Sequence, residues 1–339
     1  MEIKTKRIII GCFTILIIIL MIIFVDYQTI FQNLQRISLV GIILFCITYT
    51  IAFIFRTYKL KLIFKGINFN PSYFTIYGAI GTGWAINEIT PAKIGDIAKM
   101  EYIHQKESSL PFSKCFCAVI IDRFIDLIIL FSITCFTLIF IYLSNISPST
   151  QLNINFFVGI GALIIVLGFI LLLLLFFKTE WVLRIIEKIS PKLKKYIEKF
   201  IKRFVEAMKD FRKDTNRIIW VLFLNIPTWF FESLTLVILF YLAGYSINFF
   251  IIILAQILTF FTKTIPITPG GWGTEIVGAT LISIFYPVID YQNILSIFIL
   301  DHILRIVYVF IYGGISTISI NFKFKTFHIR KAEDIEVLD

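Results

Sequence analysis

From Leu127 to Phe177 the chain runs for 51 residues without a charged side chain. Roughly 20 apolar residues cross one bilayer, so a run of this length belongs in a membrane rather than in the core of a water-soluble domain. Composition agrees: 58% of the 339 residues are hydrophobic and only 16% are charged, with 37 phenylalanines. A soluble enzyme, a disordered chain and a disulfide scaffold are excluded. Cys12, Cys46, Cys115, Cys117 and Cys135 lie in or beside apolar segments without a CxxC pair, and read as packing residues. His104, His302 and His328 are too far apart in sequence to indicate a metal site, and no cofactor is called for.

Further charge-free or nearly charge-free stretches mark the spans. Ile8–Val25 follows Lys4, Lys6 and Arg7, and with no small-x-small cleavage site after it reads as a retained span. Ser38–Phe55 is a second, closed by a basic edge of Arg56, Lys59, Lys61 and Lys65. Ala118–Leu143, Ile154–Phe177, Ile218–Leu242 and Ile294–Ile320 complete six. Two other apolar regions are not clean spans. Tyr73–Ile103 contains Asn87, Glu88, Pro91, Lys93, Gly95 and Asp96, and Phe249–Tyr286 contains Lys263, Pro266, Pro269 and Glu275 among glycines. Proline and glycine at membrane depth free backbone groups that lipid cannot satisfy, so these regions read as re-entrant hairpins buried in protein.

The net charge of +10 would point to nucleic acid in a soluble protein. Here it is topological: 28 of the 32 lysines and arginines fall in segments that the span order places on one face, which the positive-inside rule makes cytoplasmic. Arg36 is on the opposite side, and Arg123, Lys263 and Arg305 lie within membrane segments. This partition requires the first hairpin to enter from the cytoplasmic side and the second from the outer side, with both termini cytoplasmic. The expected fold is an all-α polytopic membrane protein of about six full spans plus two re-entrant hairpins, arranged as an inverted repeat. Residues 1–177 form the N-terminal repeat, 178–217 a cytoplasmic linker, 218–320 the C-terminal repeat and 321–339 a short cytoplasmic tail.

The repeat has a sequence trace. Ile89-Thr90-Pro91-x3-Gly95-Asp96 in the first hairpin is matched by Ile267-Thr268-Pro269-x3-Gly273-x-Glu275 in the second, and Asp122-Arg123-x2-Asp126 by Asp301-His302-x2-Arg305 downstream. Inverted repeats with broken helices are a recurring plan of secondary transporters, with the substrate site at the repeat interface. Thr90 and Thr268 are good N-cap residues followed by proline, so a half-helix is expected to begin at each tip, its positive end suited to a phosphate group. Gly270, Gly271 and Gly273 allow close backbone approach, and tight helix packing is the alternative role for these glycines and prolines.

Charges at membrane depth are expensive and tend to pair or to mark a pathway. Glu88, Asp96, Asp122, Arg123, Asp126, Glu232, Lys263, Glu275 and Arg305 can form a polar pathway in which Arg123, Lys263 and Arg305 hold an anionic headgroup while Glu275 and Asp96 orient those cations or carry protons, with Asp122 also at the substrate. Alternatively Asp122, Arg123 and Asp126, and at the outer end Asp301 and His302, sit in interfacial water. The segment Lys178–Arg217 carries 13 basic and 6 acidic residues with apolar residues at helical spacing. It reads as an amphipathic surface helix pair, broken near Pro191, in contact with anionic headgroups or simply covering the bundle.

The run Pro266-Ile267-Thr268-Pro269-Gly270-Gly271-Trp272-Gly273-x-Glu275, with Arg305 thirty residues later, resembles the signature of the lysylphosphatidylglycerol synthase transmembrane region, a flippase-like family. Thr90-Pro91-x3-Gly95-Asp96 followed by Asp122-Arg123 resembles that family's first pair, and the similarity covers about Ser38 to Ile320. The resemblance implies transport of an anionic phospholipid or a polyprenyl-phosphate-linked substrate between leaflets of the cell membrane. The soluble aminoacyltransferase domain of the fused synthase has no counterpart among these 339 residues, so lysyl transfer is not expected. With no P-loop and no nucleophile elbow, transport would be downhill or ion-driven. Two other readings stay open: an intramembrane enzyme acting on a lipid phosphate with Asp122, Asp126 or Glu275 as acid or base, and a membrane partner subunit of a separate glycosyl or aminoacyl transferase.

Overall fold

The computed structural model describes residues 26–90, 94–107, 110, 112–144, 209–264 and 269–319, with the single positions 170, 184 and 188. Within these residues it is all-helical. The helices are α1 (Tyr27–Arg36), α2 (Leu39–Gly66), α3 (Tyr73–Ile89), α4 (Gly95–Lys106), α5 (Phe112–Leu143), α6 (Thr215–Leu242), α7 (Phe249–Thr264), α8 (Glu275–Phe285) and α9 (Tyr291–Ser319). The expected spans Ile8–Val25 and Ile154–Phe177, most of the 178–217 linker and nearly all of the tail lie outside the described residues.

Local chemistry starts these helices where they start. Asp26 caps α1, accepting from the Thr29 hydroxyl at 2.7 Å and from the backbone of Gln28 at 2.9 Å, bonds that hold its carboxyl below the usual carboxylate range. Ser38 caps α2, Ser72 caps α3 and Asp214 caps α6, each accepting from a backbone N–H three residues on. Helices α2, α5, α6 and α9 are long and apolar enough to cross a membrane. At 28 residues, α2 reaches about 42 Å, well beyond a hydrocarbon core of about 30 Å.

Their surfaces are turned inside out relative to a soluble protein. Leu39, Val40, Ile43, Leu44 and Ile47 of α2 are exposed, as are Val307, Phe310, Ile311, Ile315 and Ile318 of α9, while Arg56, Lys59, Glu232, Asp301 and Arg305 are buried. Exposed apolar stripes at helical spacing around a polar interior are what lipid as solvent selects. The chain is membrane-embedded.

Both irregular regions are helical hairpins. Helix α3 packs against α4, and α7 against α8. The helices α2–α5 and α6–α9 form two equivalent sets whose packing repeats: α3 lies on α9 as α7 lies on α5, and α2 contacts α5 as α6 contacts α9. The equivalent helices α2 and α6 pack directly and run antiparallel, since Gly41 at the start of α2 meets Leu242 at the end of α6, and Arg217 near the start of α6 donates to the Lys65 carbonyl at 3.3 Å. An antiparallel pair of equivalent helices is what inversion of one repeat requires.

The hairpin tips differ from expectation at their helix starts. Thr90 does not cap a second half-helix. It closes α3, its hydroxyl donating to the Ile86 carbonyl at 2.6 Å, and α4 begins at Gly95 after Ile94. In the second tip Pro269 opens a three-residue turn of 3-10 helix, and α8 begins only at Glu275 after Thr274, which makes no side-chain cap. At the first tip the Thr90 hydroxyl turns back onto its own helix, a local alternative open to threonine wherever a preceding turn offers a carbonyl. Pro91, Pro266 and Thr268 lie outside the described residues. The glycines of the second tip do what small residues allow: Gly270, Gly271 and Gly273 all have positive φ, and Gly270 presses against the Glu88 carbonyl at the end of α3. The two tips therefore touch.

Gly95 fixes the first hairpin, because a Cβ there would run into the Gly83 carbonyl oxygen of α3, backbone against backbone. Gly95→Ala is expected to lower stability by about 1–3 kcal/mol, read from the unfolding midpoint of the purified protein. Gly314→Ala, where a Cβ meets nothing within 4 Å, should stay within about 0.5 kcal/mol of the parent.

Candidate functional site

The buried charges fall into three groups along the junction of the repeats. In the first, Asp122 and Asp126, one turn apart on α5, face Lys59 of α2. The Lys59 ammonium is 2.9 Å from Asp122 and bonds Asp126 more closely, and it donates to Asn225 of α6 at 3.2 Å. Asp96, in the first turn of α4, takes Arg123 in bidentate fashion at 3.0 and 2.6 Å and Lys99 at 3.2 Å. Three cations meet three carboxylates.

The second group joins the two halves. Glu232 of α6 is paired with Arg56 of α2 and lies 3.3 Å from Arg305 of α9. Arg305 donates to Asp301 at 2.7 Å, to the Glu232 carbonyl at 2.7 Å and to the Thr235 hydroxyl at 2.6 Å, and its guanidinium lies 4.9 Å over the Tyr49 ring. Arg56 is stacked between two indoles, 4.8 Å from Trp84 and 5.5 Å from Trp229.

The third group sits where the hairpin tips touch. His302 of α9 bonds Glu275 of α8 through Nδ1, and its Nε2 lies 3.3 Å from Glu88 of α3 and 3.1 Å from the Lys263 ammonium of α7. Lys263 is 3.8 Å from Glu88. The Trp272 ring stacks on the imidazole with centroids 4.5 Å apart, and the backbone N–H of Gly273 donates to Glu275 at 2.7 Å.

Arg123, Lys263 and Arg305 are thus each held in a different group, each beside carboxylates, and are not gathered around one point. Of the three acids, Asp96 contacts Arg123, Asp122 contacts Lys59 and Glu275 contacts His302. Asp122, Asp126, Asp301 and His302 are enclosed by protein, at 1%, 2%, 5% and 3% exposure, rather than set in interfacial water. Arg56, Lys59 and Lys99 are also corrected. Counted from sequence among the cytoplasmic charges, they are 2% exposed or less: α2 continues past Phe55 to Gly66 and carries Arg56 and Lys59 into the bundle, and Lys99 on α4 is buried beside Asp96.

A signal for the missed residues existed in the spacing. Glu232 and Thr235 lie 176 residues after Arg56 and Lys59, while Glu275, Asp301, His302 and Arg305 lie 179 after Asp96, Asp122, Arg123 and Asp126. Structure gives these offsets meaning: the Asp96–Arg123 pair of the first repeat occupies the place of Glu275–His302 in the second. Arg56 and Glu232, equivalent positions, bond each other across the junction.

Residues 8–313 match the family described as the lysylphosphatidylglycerol synthase TM region. A UPF0104 membrane protein of Pyrococcus horikoshii is 25% identical over 264 residues, covering 73% of this chain and 76% of that protein. No solved structure matches the chain significantly. The matched stretch includes both hairpins and all three charge groups, and the chain belongs to the family of the lysylphosphatidylglycerol synthase transmembrane region.

Proposed function

We propose that this protein moves an anionic phospholipid, or a polyprenyl-phosphate-linked substrate, between the leaflets of the cell membrane, with the headgroup passing along the junction of the two repeats. One observation carries this reading. Arg56 Nη1, Trp84 Nε1, Trp229 Nε1 and Asn225 Nδ2 are buried donors with no acceptor among the described residues. They lie on three helices: the Trp84 and Trp229 rings flank the Arg56 guanidinium, and Asn225, one turn before Trp229 on α6, accepts from Lys59, one turn after Arg56 on α2. An unpaired buried donor is costly. Four donors together suit a ligand that brings oxygens and negative charge, as a phosphate headgroup does. Arg123, Lys263 and Arg305 then line the route on either side, each able to exchange a carboxylate for the headgroup.

Both termini are taken as cytoplasmic, with the basic 178–217 segment against anionic headgroups on that face. The test is leaflet exchange in liposomes containing the purified protein and fluorescent phosphatidylglycerol or a labelled polyprenyl phosphate. Accelerated exchange is expected for an anionic substrate and little for a zwitterionic one. Exchange no faster than in protein-free liposomes with every anionic lipid would sink the function. Product formation from a lipid phosphate would favour an enzyme instead, and activity only after co-purification with a transferase would favour a partner subunit.

A further inference from the structure

Charge bookkeeping separates the third group from the other two. Lys59, Lys99 and Arg123 balance Asp96, Asp122 and Asp126, and Arg56 and Arg305 balance Glu232 and Asp301. Among the described residues around the hairpin tips, Glu88 and Glu275 face one fixed cation, Lys263, so these four side chains are neutral together only when His302 carries a proton. Uncompensated charge inside a membrane protein is expensive, which gives the proton a place to bind.

The geometry at Nε2 serves both protonation states. With Nδ1 engaged by Glu275, Nε2 has a carboxylate 3.3 Å away and an ammonium 3.1 Å away. Protonated, Nε2 donates to Glu88 of α3 and ties the first hairpin to the second repeat. Deprotonated, it accepts from Lys263 of α7, inside its own repeat, and its own bond to Glu88 is lost, leaving the longer Lys263–Glu88 contact at 3.8 Å between the tips. Among the described residues, the other charged groups near His302 are Asp301 and Arg305 on its own helix and Glu232 on α6, which are bonded among themselves. In the first repeat the equivalent place is filled by Arg123 with Asp96, a pair that keeps its charge across the physiological range.

We propose that His302, between Glu88 and Glu275, is a proton-binding site that latches the two hairpin tips together when occupied, so that lipid movement responds to protons through the second repeat alone. Its link to transport rests on the function proposed above; the proton site itself does not.

Trp272 reports on the site directly, since a protonated imidazole stacked on an indole quenches its emission. The full-length protein in nanodiscs is titrated from about pH 4 to pH 9, a range that brackets ordinary histidine titration. Wild type minus Trp272→Phe isolates this tryptophan from the other four. Its emission is expected to fall on acidification along a one-proton curve that His302→Gln abolishes; a flat profile overturns the proton site. In liposomes, exchange of fluorescent phosphatidylglycerol is expected to slow about tenfold or more as pH drops through the same midpoint. His302→Arg, locked in the charged form, should lose exchange at every pH, and His302→Gln should exchange without pH dependence. A titrating Trp272 with pH-independent exchange in the wild type overturns the latch. Absence of exchange under all conditions counts against the transport function, while the emission curve still decides the proton site.

Discussion

Replacing Arg56 by methionine is expected to slow leaflet exchange at least about thirtyfold while leaving the protein folded. Truncating one member of a buried, hydrogen-bonded charge pair costs about 2–5 kcal/mol, and each 1.4 kcal/mol is a factor of ten. Glu232 keeps a cation, since Arg305 remains 3.3 Å away and also holds the Glu232 carbonyl at 2.7 Å, but Arg305 then serves Asp301 as well, so the loss is shared between function and stability. Methionine fills most of the space between Trp84 and Trp229 and removes the unpartnered Nη1 that is offered to the headgroup. Arg56→Lys should fall between, since an ammonium keeps the charge but not the planar fork. Initial exchange rates in liposomes, with size-exclusion profiles to establish folding, provide the measurement. Wild-type rates in a well-folded Arg56→Met protein would remove Arg56 from the headgroup site.

Lys59→Met is expected to act in the opposite way, on folding first. Lys59 is fully buried and is the cation that both Asp122 and Asp126 face across α2 and α5. Arg123, at 3.6 Å from Asp126, is already committed to Asp96. Removing the lysine leaves buried carboxylates short of a cation, a loss of about 3–5 kcal/mol. The unfolding midpoint in detergent should drop accordingly, and the triple variant Lys59→Met, Asp122→Asn, Asp126→Asn should recover most of it. If Lys59→Met alone unfolds at the wild-type midpoint, the first charge group is not structural.

Much of the architecture was legible in the chain. Apolar runs placed α2, α5, α6 and α9 to within a few residues at most ends, since hydrophobic length against bilayer thickness is a local property. Prolines and glycines marked both hairpins, and the matched Thr-Pro-x3-Gly motifs announced a repeat. Helix starts at the tips were not legible. Whether Thr90 caps the next helix or closes the last depends on which backbone groups lie within reach of one hydroxyl.

What the sequence determined by itself is the solvent and the plan: a chain this apolar must lie in lipid, and its broken apolar regions must be buried in protein. The roles of the individual charges were decided only by tertiary structure. Arg56 and Lys59 have the same local surroundings as Lys61 and Lys65 beside them, yet they are buried because carboxylates 176 residues away on α6 and more than 60 away on α5 are there to receive them. His302, next to an aspartate in the outer half of its expected span, reads from sequence as interfacial until Glu88, Lys263, Glu275 and Trp272 close around it. Hydrophobicity accumulates along the chain and can be read one segment at a time. The partner of a buried charge is set by which helices pack together, and that appears only when the two repeats meet.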